Sequence, residues 1–392
     1  MAFFHGVRVK EVPTSILPPV NTTAGLPVVV GTAPVHLTAD PAKNVNRPVI
    51  CYGWNEAVAA LGYSENWDEY TISEVMYAQF KLYGVKPIIF VNVLDPAKHK
   101  AEIKDTDGCT VTEGRVVLDD PVLIASLKVK SSAAAEPAKN LTDYTAAYDD
   151  EGRLVISVTP TGALKNADKL YLEYTKIDPS KVKDADIIGG ASKTGTAGLE
   201  WLDSIYTLFS LVPGIVAAPG WSDRLSVAAV MKAKAMNISG LFRCICLTDV
   251  DTGAVKHYSD VNEWKNKNSY TGVNQVVCWP CVRSGDMVFR MSTHILGIIG
   301  VVDAANEDVP YQSPSNLSMQ ATGICLKDGT EVALSLDQAN HLNSQGVMTA
   351  LNFSGGVEEL GQLHGRISIR YGCEGRSSAF AACSIGSIRL LS

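Results

Sequence analysis

Residues 214–248 read GIVAAPGWSDRLSVAAVMKAKAMNISGLFRCICLT. An apolar run that stops at Pro and Gly predicts a buried strand at Ile215–Ala218. Helical spacing predicts a helix over Asp223–Met236, and a second apolar run predicts a strand over Leu241–Thr248. A strand, a helix and a strand of these lengths make one βαβ unit, and its two strands should lie parallel. The alternation continues outward with a helix at Asp260–Lys267 and a strand at Gln275–Trp279. Upstream lie a helix on Leu199, Leu202, Ile205, Tyr206 and Phe209, and an apolar strand Val28–Thr32. Thr71–Leu82 reads as a helix. Thr71 and Glu74 have capping-box spacing, Ile72, Val75, Met76, Phe80 and Tyr83 share a face, and Gly84 stops it before strand Ile88–Val93. A helix over Ser292–Ala305 and a smaller α+β portion reaching about Gly356 complete the body. The fold class is therefore α/β, with a layered main domain built on a mostly parallel sheet.

Charge divides the chain. Of its 34 basic and 41 acidic residues, 29 fall within positions 96–190, roughly twice the density found elsewhere. This segment predicts a solvated module inserted in the main domain. Its strands are expected at Cys109–Leu118, Val122–Lys130, Arg153–Thr159 and Lys169–Lys176, forming a small β-sandwich or barrel. The expected division is an N-terminal arm at 1–20 and a main domain at 21–95 and 191–300. The inserted β domain spans 96–190, an α+β domain 301–380, and a C-terminal arm 381–392. The net charge of −7 disfavours a nucleic-acid binder, which needs a basic face. No apolar stretch approaches a membrane span, and the opening MAFFHGVRVKEVPT lacks the apolar region of a signal peptide. Cytoplasmic synthesis is expected. Nine cysteines in so long a chain suggest reduced thiols.

The candidate chemistry is thin. Cys278-Trp279-Pro280-Cys281 has redox spacing but ends a strand rather than opening a helix. Cys244 and Cys246 read as small hydrophobes on a buried strand. Asp249 and Asp251 follow a strand at the carboxyl edge of the sheet. They suit either a divalent metal in a hydrolase or a turn completed by Gly253. Residues 189–198, GGASKTGTAG, fail the P-loop pattern and read as a link between domains. The seven histidines are scattered without metal-ligand spacing. No catalytic, cofactor or metal residue is nominated.

The ends carry more. His5-Gly6-Val7-Arg8-Val9-Lys10-Glu11-Val12 is a strand-forming stretch followed by Pro13, Pro18 and Pro19, a stiff connector. It fits an ordinary edge strand or one donated to a neighbour. Cys383–Leu391 is a second β-capable apolar stretch.

With these residues in view, the chain resembles the contractile tail sheath proteins of bacteriophages and phage-tail-like bacteriocins. The likeness runs from the opening His5–Glu11 through PVVVGTAP (27–34), Val85-Lys86-Pro87 and GIVAAPGW (214–221) to Ser313-Pro314-Ser315-Asn316 and LNFSGG (351–356). It implies hexameric rings of this chain stacked helically around an inner tail tube, with baseplate and tail terminator proteins as partners. Assembly would take place in the bacterial cytoplasm, into a virion tail or a released phage-tail-like particle. It implies no cofactor, no nucleic acid and no membrane insertion. The arms would be strands exchanged between subunits: Val7, Arg8, Val9, Lys10, Glu11 and Val12 at one end, and Ile385, Ile388 and Leu390 at the other. Val7, Val9 and Glu11 would share one strand face, with Arg8 and Lys10 on the other. The inserted module would face outward.

One departure stands out. After Gly356 such sheaths carry a Trp-Gly-Asn-Tyr-Thr-like run that is missing here. Gly361–Ser368 has a set of codons that, shifted by one base, reads Gly-Asn-Tyr-Thr-Ala-Ala-Tyr-Pro. The segment after about Val357 is therefore expected to be a frame-shifted tail, which the coding DNA decides. A static, surface-layer-like shell is the alternative reading of the same low charge and assembling ends. A metal-dependent hydrolase using Asp249 and Asp251 is the other.

Overall fold

The computed structural model describes residues 20, 21, 23, 25–192, 195–353 and 356–360. Its body is one eight-stranded sheet. Its strands are β1 (Pro27–Gly31), β2 (Pro48–Cys51), β3 (Ile88–Asn92) and β4 (Ile215–Ala217), then β5 (Ile245–Asp249), β6 (Gln275–Cys278), β7 (Val347–Phe353) and β8 (Gly356–Leu360). Their spatial order is β8-β7-β6-β5-β4-β1-β3-β2. Every neighbouring pair from β7 through β3 is parallel; β2 and β8 close the two edges antiparallel. Val216 stands opposite Val28 on one side and Cys246 on the other.

Burial follows from that topology. β1, β3 and β5 are buried at every position, so both faces of the sheet are covered. Val28, Val29, Val30, Phe90 and Val216 are fully inaccessible. The packing helices include α1 (Trp54–Leu61), α2 (Thr71–Tyr77), α3 (Leu225–Met236) and α4 (Tyr258–Lys267), with α5 (Met291–Ala305) and α6 (Leu336–Ser344) following. α2 runs on through a π-helical turn over Ala78–Tyr83, and Gly84, at φ 67°, ends it in the left-handed region. The expected helix on Leu199–Phe209 is instead a 3-10 segment, Gly198–Ser204, followed by one α turn, Ile205–Phe209. Leu199, Leu202 and Ile205 are buried as the spacing requires.

The charge-rich segment forms two small sheets. Lys100–Lys104, Cys109–Thr110 and Lys128–Lys130 all pair with the long strand Lys169–Ile177. Tyr144–Tyr148, Leu154–Val158 and Arg115–Leu118 make the other sheet. Val116, Val129, Leu154, Ile156, Leu170 and Leu172 form a core of their own between them. Two strand expectations need correction. Cys109–Leu118 is broken by a turn at Glu113 and Gly114, both at positive φ. Val122–Lys130 is mostly irregular, with a 3-10 turn at Ile124–Ser126 in which Ser126 Oγ donates to the Leu123 carbonyl at 2.7 Å. The glycine-rich link is a short hairpin, Gly190–Ser192 against Gly195–Ala197.

Candidate functional site

Open α/β sheets bind ligands where the strand order reverses, outside the carboxyl ends of the strands. Here that point lies between β1 and β4, and it is filled. Thr32 N donates to Thr71 Oγ1 at 3.3 Å, Thr71 N donates to Thr32 Oγ1 at 3.1 Å, and Thr32 Oγ1 donates to the Glu69 carbonyl at 2.6 Å. A Cβ on Gly31 would fall 2.4 Å from Thr71 Oγ1, and one on Gly220 would fall 3.0 Å from Arg290 Nη2. The start of α2 and the Arg290 guanidinium occupy the crevice.

Behind them lies a buried polar cluster. Glu74 is fully inaccessible. It accepts from the Arg290 backbone N–H at 2.6 Å, from the Arg290 guanidinium, and from Thr293 Oγ1 at 2.9 Å. The capping-box spacing of Thr71 and Glu74 is thus misleading: α2 has no side-chain cap, and Glu74 turns away to the start of α5. Burial would lower the Arg290 pKa, but the Glu74 carboxylate outweighs it and the net shift is upward.

Asp249 does similar work. Its Oδ1 accepts from the Ser292 N–H at 3.0 Å, and its Oδ2 accepts from Ser292 Oγ at 2.5 Å and Ser222 Oγ at 3.2 Å. A carboxylate at the end of β5 therefore satisfies an orphan amide in the first turn of α5, where the helix dipole also favours negative charge. Burial pushes the Asp249 pKa up to about 6. Asp251 completes a turn instead, its Oδ1 accepting from the Gly253 N–H at 2.8 Å. The two aspartates have separate structural partners. Among the described residues no three His, Cys, Asp or Glu side chains are grouped to hold a metal. The metal-hydrolase alternative loses its ligand pair.

The cysteine motifs are packed interior. Cys278 and Cys281 are buried, and burial pushes the Cys281 thiol up to about 12, the reverse of an activated thiolate. Cys244 and Cys246 are buried as well, both with raised thiol pKa values. His294, which the sequence does not single out, lies wholly inside α5. Its Nδ1 is 2.8 Å from Tyr83 Oη, and burial pulls its pKa down to about 3.

The arm residues Val7, Arg8, Val9, Lys10, Glu11, Val12, Ile385, Ile388 and Leu390 lie outside the described residues. Their roots do not. Val20–Asn21 pairs in parallel with Val85–Lys86, and β8 adds antiparallel to β7 at the edge of the main sheet. Near the N-terminal root, Thr23 N and Oγ1 both donate to Asp308 at 3.3 Å. Asp303, 3% exposed in the last turn of α5, has an unpartnered Oδ2, against which a Cβ on Gly25 would stand at 2.5 Å. Burial, then the charge of Asp308, pushes the Asp303 pKa up to about 6.

The fold favours protonated Asp303, so its contribution is complete below the unfolded value near 3.8 and is lost as pH rises through about 6. Ionisation at pH 7.5 costs roughly 2–3 kcal/mol. Asp303→Asn is expected to raise the melting temperature at pH 7.5 and to bring no gain at pH 4.5. Equal melting of variant and parent at pH 7.5 would contradict this.

No family model matches the chain. Over 366 residues the chain is 24% identical to the tail sheath protein of Burkholderia phage BcepMu, a match spanning 90% of this chain and 72% of that protein. This chain is a relative of a phage tail sheath protein. Three solved structures show looser likeness. One is the anti-feeding prophage baseplate, with TM-score 0.47 and 13% identity over 92% of this chain and 68% of that one. Another is the contracted helical sheath of the same anti-feeding prophage, with TM-score 0.43 and 12% identity over 92% and 68%. The third is a sheath tail protein from Desulfitobacterium hafniense, with TM-score 0.39 and 10% identity over 90% and 74%. At such scores these likenesses decide nothing further. No helix among the described residues is long and apolar enough to cross a membrane.

Proposed function

We propose that this chain is the structural subunit of a contractile tail sheath. It polymerises as stacked hexameric rings around an inner tail tube, ends at a baseplate and a terminator, and drives the tube through a target envelope on contraction. It works as part of a virion tail or a released phage-tail-like particle assembled in the bacterial cytoplasm, and it catalyses no reaction. The observation that carries this reading is the match to a tail sheath protein along nine-tenths of the chain. The filled switch point supports a load-carrying body rather than an enzyme. Heterologous, non-closing contacts between identical subunits generate a helix. Strands donated by the two arms would link the subunits while their bodies rotate and slide. The extended sheath would then be a kinetic trap released by the baseplate, with the energy coming from added burial between subunits.

Electron microscopy of the purified full-length chain tests this. Hollow tubes with sixfold end views are expected. A chain that stays monomeric at high concentration, with or without its tube partner, would count against it.

A further inference from the structure

The inserted β unit hangs on two linkers, residues 93–99 going in and 178–188 coming out, and they cross at His99. The His99 N–H donates to the Asp95 carbonyl at 2.7 Å, and the His99 carbonyl accepts from the Asp178 N–H at 2.9 Å. The side chain of this residue, 2% exposed, closes the same turn a second time: its Nδ1 accepts from the Asp95 N–H at 2.9 Å. That bond fixes the neutral tautomer with its proton on Nε2. Nε2 stands 3.5 Å from Asp186 Oδ2 and makes no hydrogen bond.

Asp186 belongs to a short helix, Asp184–Ile188, whose two carboxylates reach in different directions. Asp186 Oδ1 accepts from Lys98 Nζ of the incoming linker, and its Oδ2 accepts from the Lys183 N–H at 2.8 Å. Asp184 accepts from the Arg224 guanidinium at 2.7 Å and from Ser226 Oγ, both at the start of α3. The helix therefore holds the incoming linker with one carboxylate and the main body with the other. The remaining charges at the crossing are engaged elsewhere. Asp95 Oδ1 accepts from the Ala97 N–H at 2.8 Å, and Asp178 pairs with Lys181 at 3.5 Å. Lys181 Nζ also donates to the Lys100 carbonyl.

This turn accommodates only a neutral ring. An imidazolium is a donor at both nitrogens and accepts nothing. A second proton would sit on Nδ1, directly against the Asp95 N–H. Asp186 offsets the new charge weakly, because its oxygens already serve Lys98 and the Lys183 amide. Burial lowers the His99 pKa, and the attraction of Asp186 opposes that shift only in part. The fold thus favours neutral His99. Its contribution is complete above the unfolded value near 6.5 and is lost as pH falls through the lower folded one.

We propose that the root of the inserted unit is an acid-released clasp: protonation of His99 opens the Asp95–His99 turn, frees the incoming linker from the helix Asp184–Ile188, and lets the inserted unit move on its two linkers. The unit has its own buried core, so it stays folded when the clasp opens. The clasp works within a single chain, assembled or not.

Amide hydrogen exchange of the full chain between pH 7.5 and pH 4.5, corrected for the intrinsic rate, tests it. Protection of the Asp95, His99 and Asp178 amides should fall at least tenfold at pH 4.5, while strands Ile88–Asn92 and Leu154–Val158 keep theirs. His99→Gln, whose side-chain oxygen can accept from the Asp95 N–H and does not titrate, should hold the root protected at both pH values. Asp186→Ala, which leaves the histidine but removes the anchor of Lys98, should loosen the same amides already at pH 7.5. Unchanged root protection in the parent at pH 4.5 would overturn the proposal without any variant. So would an equal acid loss in His99→Gln, a loss shared by the two strands, or full root protection in Asp186→Ala at pH 7.5.

Discussion

Glu74→Ala is expected to lower the stability of the main body by about 3–5 kcal/mol, the cost of breaking a buried ion pair from one side. The carboxylate is fully inaccessible and takes three donors from the start of α5: the Arg290 amide, the Arg290 guanidinium and the Thr293 hydroxyl. Removing it leaves a guanidinium buried without its main counter-charge, because Asp68, 3.5 Å away, is itself largely exposed. Two further donors lose their acceptor, each costing about 1–3 kcal/mol if water cannot replace it. The loss should appear as a shift in urea midpoint at unchanged slope for the main-body transition. A change below about 1 kcal/mol would show that the cluster does not hold α2 to α5.

Deletion of Met1–Val12 is expected to leave a folded chain that assembles no long tubes. Among the described residues the buried cluster begins at Leu26, and Val20–Asn21 is paired with Val85–Lys86. Assembly is another matter under the proposed arm exchange. A donated strand offers several main-chain hydrogen bonds, each worth about 0.5–1.5 kcal/mol net. Losing them at every subunit contact removes the linkage along the whole polymer. Circular dichroism and melting should match the parent while negative-stain images show no long tubes. Normal tubes from the deleted chain would refute the arm role.

The sequence announces some of this architecture and hides the rest for identifiable reasons. The βαβ unit of residues 214–248 is legible because both its strands are buried on two faces and so are continuously apolar. Its second strand is shorter than expected, beginning at Ile245, because Ile238–Leu241 turns outward and leaves Leu241 67% exposed. Two strands of the insertion, Lys100–Lys104 and Tyr144–Tyr148, escape notice since charge and alanine dilute their alternation. Val122–Leu127 is apolar enough to pass for a strand, yet it packs as a 3-10 turn over the second core. Glu74 and Arg290 are 216 positions apart, and nothing local in either neighbourhood forecasts their pairing. Asp249 shows the converse error. Its place at a strand end suggests a ligand site, but the partner it serves is the start of a helix 43 residues away.

The most direct measurement is the length and width of tubes formed by this chain with its inner tube, imaged by electron microscopy before and after triggering by the baseplate or mild denaturant. A contractile sheath should give two populations built from the same rings, one long and narrow and one short and wide. A single invariant tube geometry under every condition would contradict contraction and leave a static shell.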